Sequence, residues 1–215
     1  MKKSEIFVNK FFIYILPGII FCLFFIFKSS TITDDGRQFT LSDDVMISMT
    51  YANNFAETGE LSWYKGAEKV QGYTNFLYTV FMSLIHLLRF SGTINALLIS
   101  LFNLLIILLI AYKVLTLAKL FSEKPSNLPY FLAALIPFQY PILFWSLRGF
   151  EVGILSLLTI ISIEKVFEIQ DSNESNLIKN LFVLYIYLSI GLLTRLDFGV
   201  VVLGISIYLL YIFLQ

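Results

Sequence analysis

TNFLYTVFMSLIHLL, residues 74–88, is the stretch on which the architecture turns. Its fifteen residues are apolar enough for a membrane, but a helix that crosses the hydrocarbon core needs about 20. It also carries His86 and runs directly into Arg89. If it crosses, Lys113, Lys119 and Lys124 fall outside, and Arg148, Glu151, Arg195 and Asp197 fall on the side away from Asp43 and Asp44. If it is a short re-entrant or interfacial helix, the three lysines are cytoplasmic and all six of those acids and arginines face outward together. Lys and Arg are retained on the cytoplasmic side, so the second threading is the expected one.

The surroundings of this stretch are membrane-like throughout. Hydrophobic residues make up 58% of the 215 positions and charged residues 14%, with a mean hydropathy of +0.81, which excludes a soluble domain with a polar shell. Six further apolar runs, at 11–27, 94–112, 129–147, 152–166, 181–193 and 198–214, are candidate spans. The expected fold class is all-α: a polytopic membrane protein of about six transmembrane helices plus the short helix at 74–88. Lys2, Lys3 and Lys10 precede the first run, which no small-x-small cleavage site follows, so it reads as an uncleaved signal anchor with a cytoplasmic N-terminus. Residues 29–73 then form the first extracytoplasmic loop, and 1–215 is a single transmembrane module.

Composition closes other routes. Net charge is zero and no basic tract exists, so a nucleic-acid partner has no electrostatic footprint. The single cysteine, Cys22, lies in an apolar run and offers neither an intramolecular disulfide nor a zinc cluster. His86 has no ligand-forming neighbour at metal spacing and reads as structural. Glycine-rich phosphate loops and a Gly-x-Ser-x-Gly elbow are absent.

Polarity concentrates in the loop. Ser42 is placed to cap a helix whose first turn holds Asp43 and Asp44, with Ile47, Tyr51 and Phe55 recurring every fourth position and Gly59 as a stop. That pattern predicts an amphipathic helix on the membrane surface. The paired acid has a purely stabilising reading at a helix N-terminus, worth about 0.3–1 kcal/mol. Asp34 and Asp35, before Gly36, read as an exposed turn. Arg148 and Glu151, three apart, would share a face on a helix, either as a boundary ion pair that marks the membrane surface or as functional groups. Arg195 and Asp197 interrupt an apolar stretch, which calls for a water-filled cavity or a headgroup site unless it is simply a short loop between two spans.

Three pieces of the chain together resemble a known family. Asp43-Asp44-x-x-Ile47-Ser48-x-x-Tyr51-Ala52, Gly59-x-Leu61 and Val70-x-Gly72-Tyr73-Thr74-Asn75-Phe76-Leu77 are similar to the start of bacterial GT-C glycosyltransferases, closest to the arabinofuranosyltransferase-like and mannosyltransferase-like branch. Trp145-Ser146-x-x-Gly149-Phe150-Glu151 looks like that family's Ser/Gly-Leu-Glu-Thr segment. Leu192-Leu193-Thr194-Arg195-Leu196-Asp197-Phe198-Gly199 looks like its Thr-Arg-Pro-Glu-Gly segment. Val152 after Glu151, and Leu196-Asp197 in place of Pro-Glu, depart from the pattern. Members are usually much longer, so the chain resembles the N-terminal portion of such an enzyme.

The resemblance implies transfer of a sugar from a polyprenyl-phosphate donor to an extracytoplasmic glycan, lipid or protein acceptor, by single displacement with inversion, at the bacterial cytoplasmic membrane. Asp43, Asp44 and Glu151 become the expected catalytic carboxylates, with Asp43 slightly favoured as base. Arg148 and Arg195 are expected on the donor phosphate, with Lys65 and Lys69 behind them, and Tyr73, Asn75 and Asp197 on substrate. A divalent metal, magnesium or manganese, is left open, with Asp43 or Asp44 as its ligand. The competing readings are a non-catalytic transporter or assembly subunit and an inactive fragment.

Overall fold

The computed structural model describes residues 3–68, 70–122 and 126–214. It is all-helical, at 76% helix against 3% strand. The helices are α1 (Lys3–Lys28), α2 (Asp43–Thr58), α3 (Phe76–His86), α4 (Gly92–Leu120), α5 (Leu128–Leu135), α6 (Tyr140–Leu147), α7 (Val152–Gln170), α8 (Glu174–Thr194) and α9 (Gly199–Phe213). A small hairpin, β1 (Thr31–Thr33) and β2 (Gly36–Gln38), stands between α1 and α2. Its turn is Asp34-Asp35, as composition implied, and Gly36 supplies the positive φ of 104° that closes it.

Among the described residues, four segments are long and apolar enough to cross a membrane: Asn9–Lys28, Gly92–Leu120, Asn176–Thr194 and Leu196–Phe213. The run at 129–147 is not one straight span but a pair, Leu128–Phe138 and Tyr140–Leu147, bent by 48°. Pro137 and Pro141 flank the bend, and each lacks the N–H that an unbroken helix would need there. Helix α7 outruns its apolar part and carries Glu164, Lys165 and Glu168 in its second half. The eleven residues of α3 rise about 16 Å in all, about half of a hydrocarbon core of about 30 Å.

Cross-links define two ends. At one, Phe39 N–H donates to Thr93 Oγ1 at the start of α4 (2.6 Å), and Ser100 Oγ of α4 donates to the Leu147 carbonyl at the end of α6 (3.0 Å). At the other, Lys113 pairs with Glu164 (2.6 Å), Lys119 donates to Tyr130 (3.1 Å), and Lys10 lies over the Tyr130 ring. Between the ends, α1 packs through Cys22 and Ile26 against Leu104, Ile107, Leu143 and Leu147. Gly18 meets Pro137 so closely that a Cβ would sit 2.6 Å from its ring, which fixes α1 against the bend.

Helix α2 starts after Ser42 and ends at Gly59, whose φ of 74° lets its N–H reach the Phe55 carbonyl (2.9 Å). Its inward face meets the expected one at Tyr51, which is buried, and differs elsewhere. Val45, Ser48, Met49 and Ala52 are buried, while Ile47 and Phe55 lie at the margin. The reason is a partner: Leu41, Val45, Met49 and Ala52 form a core with Tyr78 and Met82 of α3 and Ala96 and Ile99 of α4. Protein, rather than lipid, takes up this apolar face.

Candidate functional site

The site is assembled where α7 begins. Gly149, at φ 95°, breaks the chain between α6 and α7, and a Cβ there would lie 2.8 Å from Leu41 and 2.9 Å from Val45. The break separates Arg148 from Glu151, which therefore do not share a helical face. Arg148 turns back instead: Nη1 and Nη2 donate to the carbonyls of Thr40 and Leu41 (both 3.1 Å), and its own carbonyl accepts from Ser42 N–H (3.0 Å). The guanidinium expected on a donor phosphate is a clamp on the entrance to α2.

Glu151 points inward and is 1% exposed. Its Oε1 accepts from Arg195 Nη1 (2.6 Å) and its Oε2 from Asn75 Nδ2 (2.9 Å). Asn75, at the start of α3, accepts on its Oδ1 from Ser48 Oγ of α2 (2.9 Å) and Thr79 Oγ1 (3.0 Å). Arg195 lies in an extended break between α8 and the one-turn 3-10 helix Leu196–Phe198, and its Nε donates to Asp197 (2.9 Å). Glu151 first and Asp197 second hold the guanidinium pKa above its ordinary value, so it stays charged. One continuous network, Ser48–Asn75–Glu151–Arg195–Asp197, thus joins α2, α3, α7 and α8. A buried carboxylate needs such cover, because an unpaired one would neutralise or destabilise the fold.

Above the network lies a polar cavity of about 370 Å³, walled in part by Asp44, Ser48, Tyr73, Asn75, Glu151 and Arg195. Tyr73 packs edge-on to Tyr51 (centroids 5.1 Å apart), and burial, then Tyr51, raises its hydroxyl pKa. Tyr51 in turn donates to the Val70 carbonyl (2.9 Å) and packs against Gly72, where a Cβ would be 2.6 Å from its hydroxyl. That contact straps the segment leading to Tyr73 across α2.

Five of the expected residues, Asp44, Tyr73, Asn75, Glu151 and Arg195, therefore meet at one cavity. Asp197 joins through Arg195, its side chain 77% exposed. Asp43 is exposed at the start of α2 and is not among the residues lining the cavity. Lys65 is exposed in the loop, and Lys69 lies outside the described residues. Sequence reasoning left out Ser48 and Thr79 as partners of Asn75. Ser48 follows Asp44 by four residues, one helical turn, and a small hydroxyl on an otherwise apolar face was the signal available.

A second, apolar groove of about 320 Å³ is lined by Leu77, Tyr78, Phe81, Ile154, Ile190 and Thr194 among others. Three segments serve both: Asn75 leads into Leu77 and Tyr78, Glu151 stands one turn before Ile154, and Thr194 precedes Arg195. Among the described residues no group of three or more His, Cys, Asp or Glu is placed to hold a metal ion. Glu151 has both oxygens engaged, and Asp44 is the other carboxylate on the cavity wall, so the donor set does not form a protein-built site for magnesium or manganese. No protein-family model, characterised protein or solved structure matches the chain.

Proposed function

We propose that the chain is a membrane glycosyltransferase module that moves a sugar from a polyprenyl-phosphate donor to an extracytoplasmic acceptor. The observation that carries this reading is that a charged cavity and an apolar groove are lined by neighbouring residues of the same three segments. A polyprenyl-phosphate sugar is itself a long apolar tail ending in a charged, hydroxyl-rich head, and needs both surfaces side by side.

Chemistry is assigned to the cavity accordingly. Asp44 takes the proton of the acceptor hydroxyl as its oxygen bonds to the anomeric carbon, and the bond from that carbon to the phosphate oxygen breaks. The leaving polyprenyl phosphate carries its charge away as an anion, so electrostatic stabilisation replaces a general acid. Arg195 supplies it with the guanidinium edge that Glu151 and Asp197 leave open. Glu151 holds Arg195 in place rather than acting as base, and Tyr73 packs against the sugar. No step is routed through a metal.

The topology that goes with this reading has six crossings, by α1, α4, the bent α5–α6 pair, α7, α8 and α9, with α3 lying short of a full span. The end bearing Lys10, Lys113 and Lys119 is cytoplasmic by the positive-inside tendency, and the cavity faces outward from the bacterial inner membrane.

The test is transfer in vesicles: the full chain reconstituted with radiolabelled polyprenyl-phosphate pentoses and hexoses and a cell-envelope glycan acceptor. Label should reach the acceptor, with polyprenyl phosphate released, and should not with Asp44→Asn. A second reading, a non-catalytic transporter or assembly subunit, is favoured by the use of both Glu151 oxygens in hydrogen bonds within the protein. Absence of transfer from every donor by protein that also binds no polyprenyl phosphate would select it.

A further inference from the structure

The turn between α3 and α4 places Arg89 at φ 56°, the one non-glycine residue among those described with a positive φ. Glycine is the usual residue where a helix closes in this conformation, and a side chain kept against that preference points to a use for the side chain. Its neighbours are Leu87, Leu88 and Phe90, each at least half exposed. A cation set among exposed apolar side chains is the signature of a headgroup-level position.

Arg89 also lines a cavity of about 530 Å³, separate from the one at Glu151, with Asn53 and Glu57 of α2, His86 of α3 and Phe90. Asn53 Nδ2 donates to Glu57 Oε1 (3.2 Å). His86 is buried, and burial lowers its pKa against the opposing charge of Glu57, so the ring is neutral. Asn95 Nδ2 faces its Nδ1 at 3.1 Å and also reaches the Phe90 carbonyl, which makes Nδ1 the acceptor and leaves the proton on Nε2. That Nε2 has no hydrogen-bond partner although it is buried. Sealed from water, Nε2 belongs to the packing behind the cavity; the charges on the cavity wall itself are the Arg89 guanidinium on one side and the Glu57 carboxylate on the other.

We propose that this cavity binds the headgroup of a zwitterionic phospholipid of the phosphatidylethanolamine type. Its phosphate oxygens face Arg89, its ammonium faces Glu57, and its acyl chains run along Leu87, Leu88 and Phe90. A phosphatidylglycerol would bring a phosphate with no cation for Glu57. A phosphatidylcholine would bring a cation with no N–H to donate. The inference rests on the chain's place in a membrane and not on glycosyl transfer.

The experiment is native mass spectrometry of the delipidated full chain after adding equal amounts of phosphatidylethanolamine, phosphatidylglycerol or phosphatidylcholine, with soluble glycerophosphoethanolamine as a separate arm. Phosphatidylethanolamine should be retained best, and the soluble headgroup weakly. Arg89→Gly removes the charge while suiting the backbone, so the protein should melt no lower than wild type yet lose lipid occupancy roughly tenfold, as for one charge-assisted hydrogen bond. Glu57→Gln should abolish the preference over phosphatidylglycerol. Equal retention by wild type and Arg89→Gly, or wild-type retention of phosphatidylglycerol as strong as that of phosphatidylethanolamine, overturns the proposal.

Discussion

Nη1 of Arg195 donates to Oε1 of Glu151 across 2.6 Å, tying the break after α8 to the start of α7. The two partners are buried unequally: the Glu151 side chain is 1% exposed and that of Arg195 is 36% exposed. Losing Arg195 strands a buried carboxylate, whereas losing the Glu151 charge leaves a guanidinium that water and Asp197 still serve. Arg195→Gln should therefore cost about 3–5 kcal/mol, and Glu151→Gln about 1–2 kcal/mol. The double variant should be more stable than Arg195→Gln alone. Thermal unfolding in detergent gives the order, and a reversed ranking would show that the pair is not the anchor of this site.

Asp43 and Asp44 are adjacent in sequence but not equivalent in space, since Asp44 alone of the two lines the polar cavity. If the cavity is the seat of transfer, Asp44→Asn should lower turnover by about 10²–10⁴, the usual loss for a missing general base. Asp43→Asn should leave turnover within a factor of about 3, because an exposed charge in a helix's first turn contributes chiefly to helix stability. Matched losses in both variants would return Asp43 to the reaction.

The two arginines expected on the donor phosphate separate in the same way. Arg148 spends two guanidinium nitrogens on the Thr40 and Leu41 carbonyls, and Arg195 faces the cavity. Arg148→Gln should lower stability by about 1–3 kcal/mol without changing affinity for polyprenyl phosphate. Arg195→Lys, which keeps the charge but loses the planar fork, should weaken that affinity while leaving the chain folded. Flotation with polyprenyl-phosphate-doped vesicles measures both.

Apolar periodicity and length made the helical membrane class legible, and so were the limits of α2, because Ser42 and Gly59 are local signals whose meaning does not depend on the rest of the fold. Of the inward face of α2 only Tyr51 was, since which side of an amphipathic helix is buried depends on where α3 and α4 lie. The helical pairing of Arg148 with Glu151 failed at Gly149, whose positive φ spends the turn on approaching Leu41 and Val45. Glu151, Arg195 and Asn75 were each visible as polar residues in apolar surroundings. Their mutual hydrogen bonds span 44 and 76 positions of sequence, and spacing says nothing at that range.

Gly149 offers a test of how the site is held together. A methyl group there meets Leu41 and Val45 below 3 Å on a backbone that L side chains avoid, so Gly149→Ala should cost at least about 2 kcal/mol and loosen α2 from the bundle. Gly204, in the middle of α9 with nothing within 4 Å of where a methyl would stand, is the control: Ala there should be neutral or stabilising by about 0.4–1 kcal/mol. Unfolding midpoints of the two variants should differ in sign from each other or at least separate clearly, and coincident values would mean that the contact at Gly149 relaxes freely.

The two ends of the bundle lead to a labelling prediction. Asp35 lies in the exposed hairpin turn at the cavity end, and Ser126 and Asn173 are exposed near the end that holds Lys113, Lys119 and Glu164. Ser48 is unsuitable as a reporter because it is 3% exposed. On a Cys22→Ser background, a cysteine at 35 should react with a membrane-impermeant thiol reagent in intact cells. Cysteines at 126 and 173 should react only after permeabilisation, because Lys-rich ends stay in the cytoplasm. The short length of α3 is what makes this pattern possible: were residues 74–88 a full crossing, position 126 would share the outside with position 35. Labelling of both in intact cells would break the threading and, with it, the reading in which Asp44, Glu151 and Arg195 work on an extracytoplasmic acceptor.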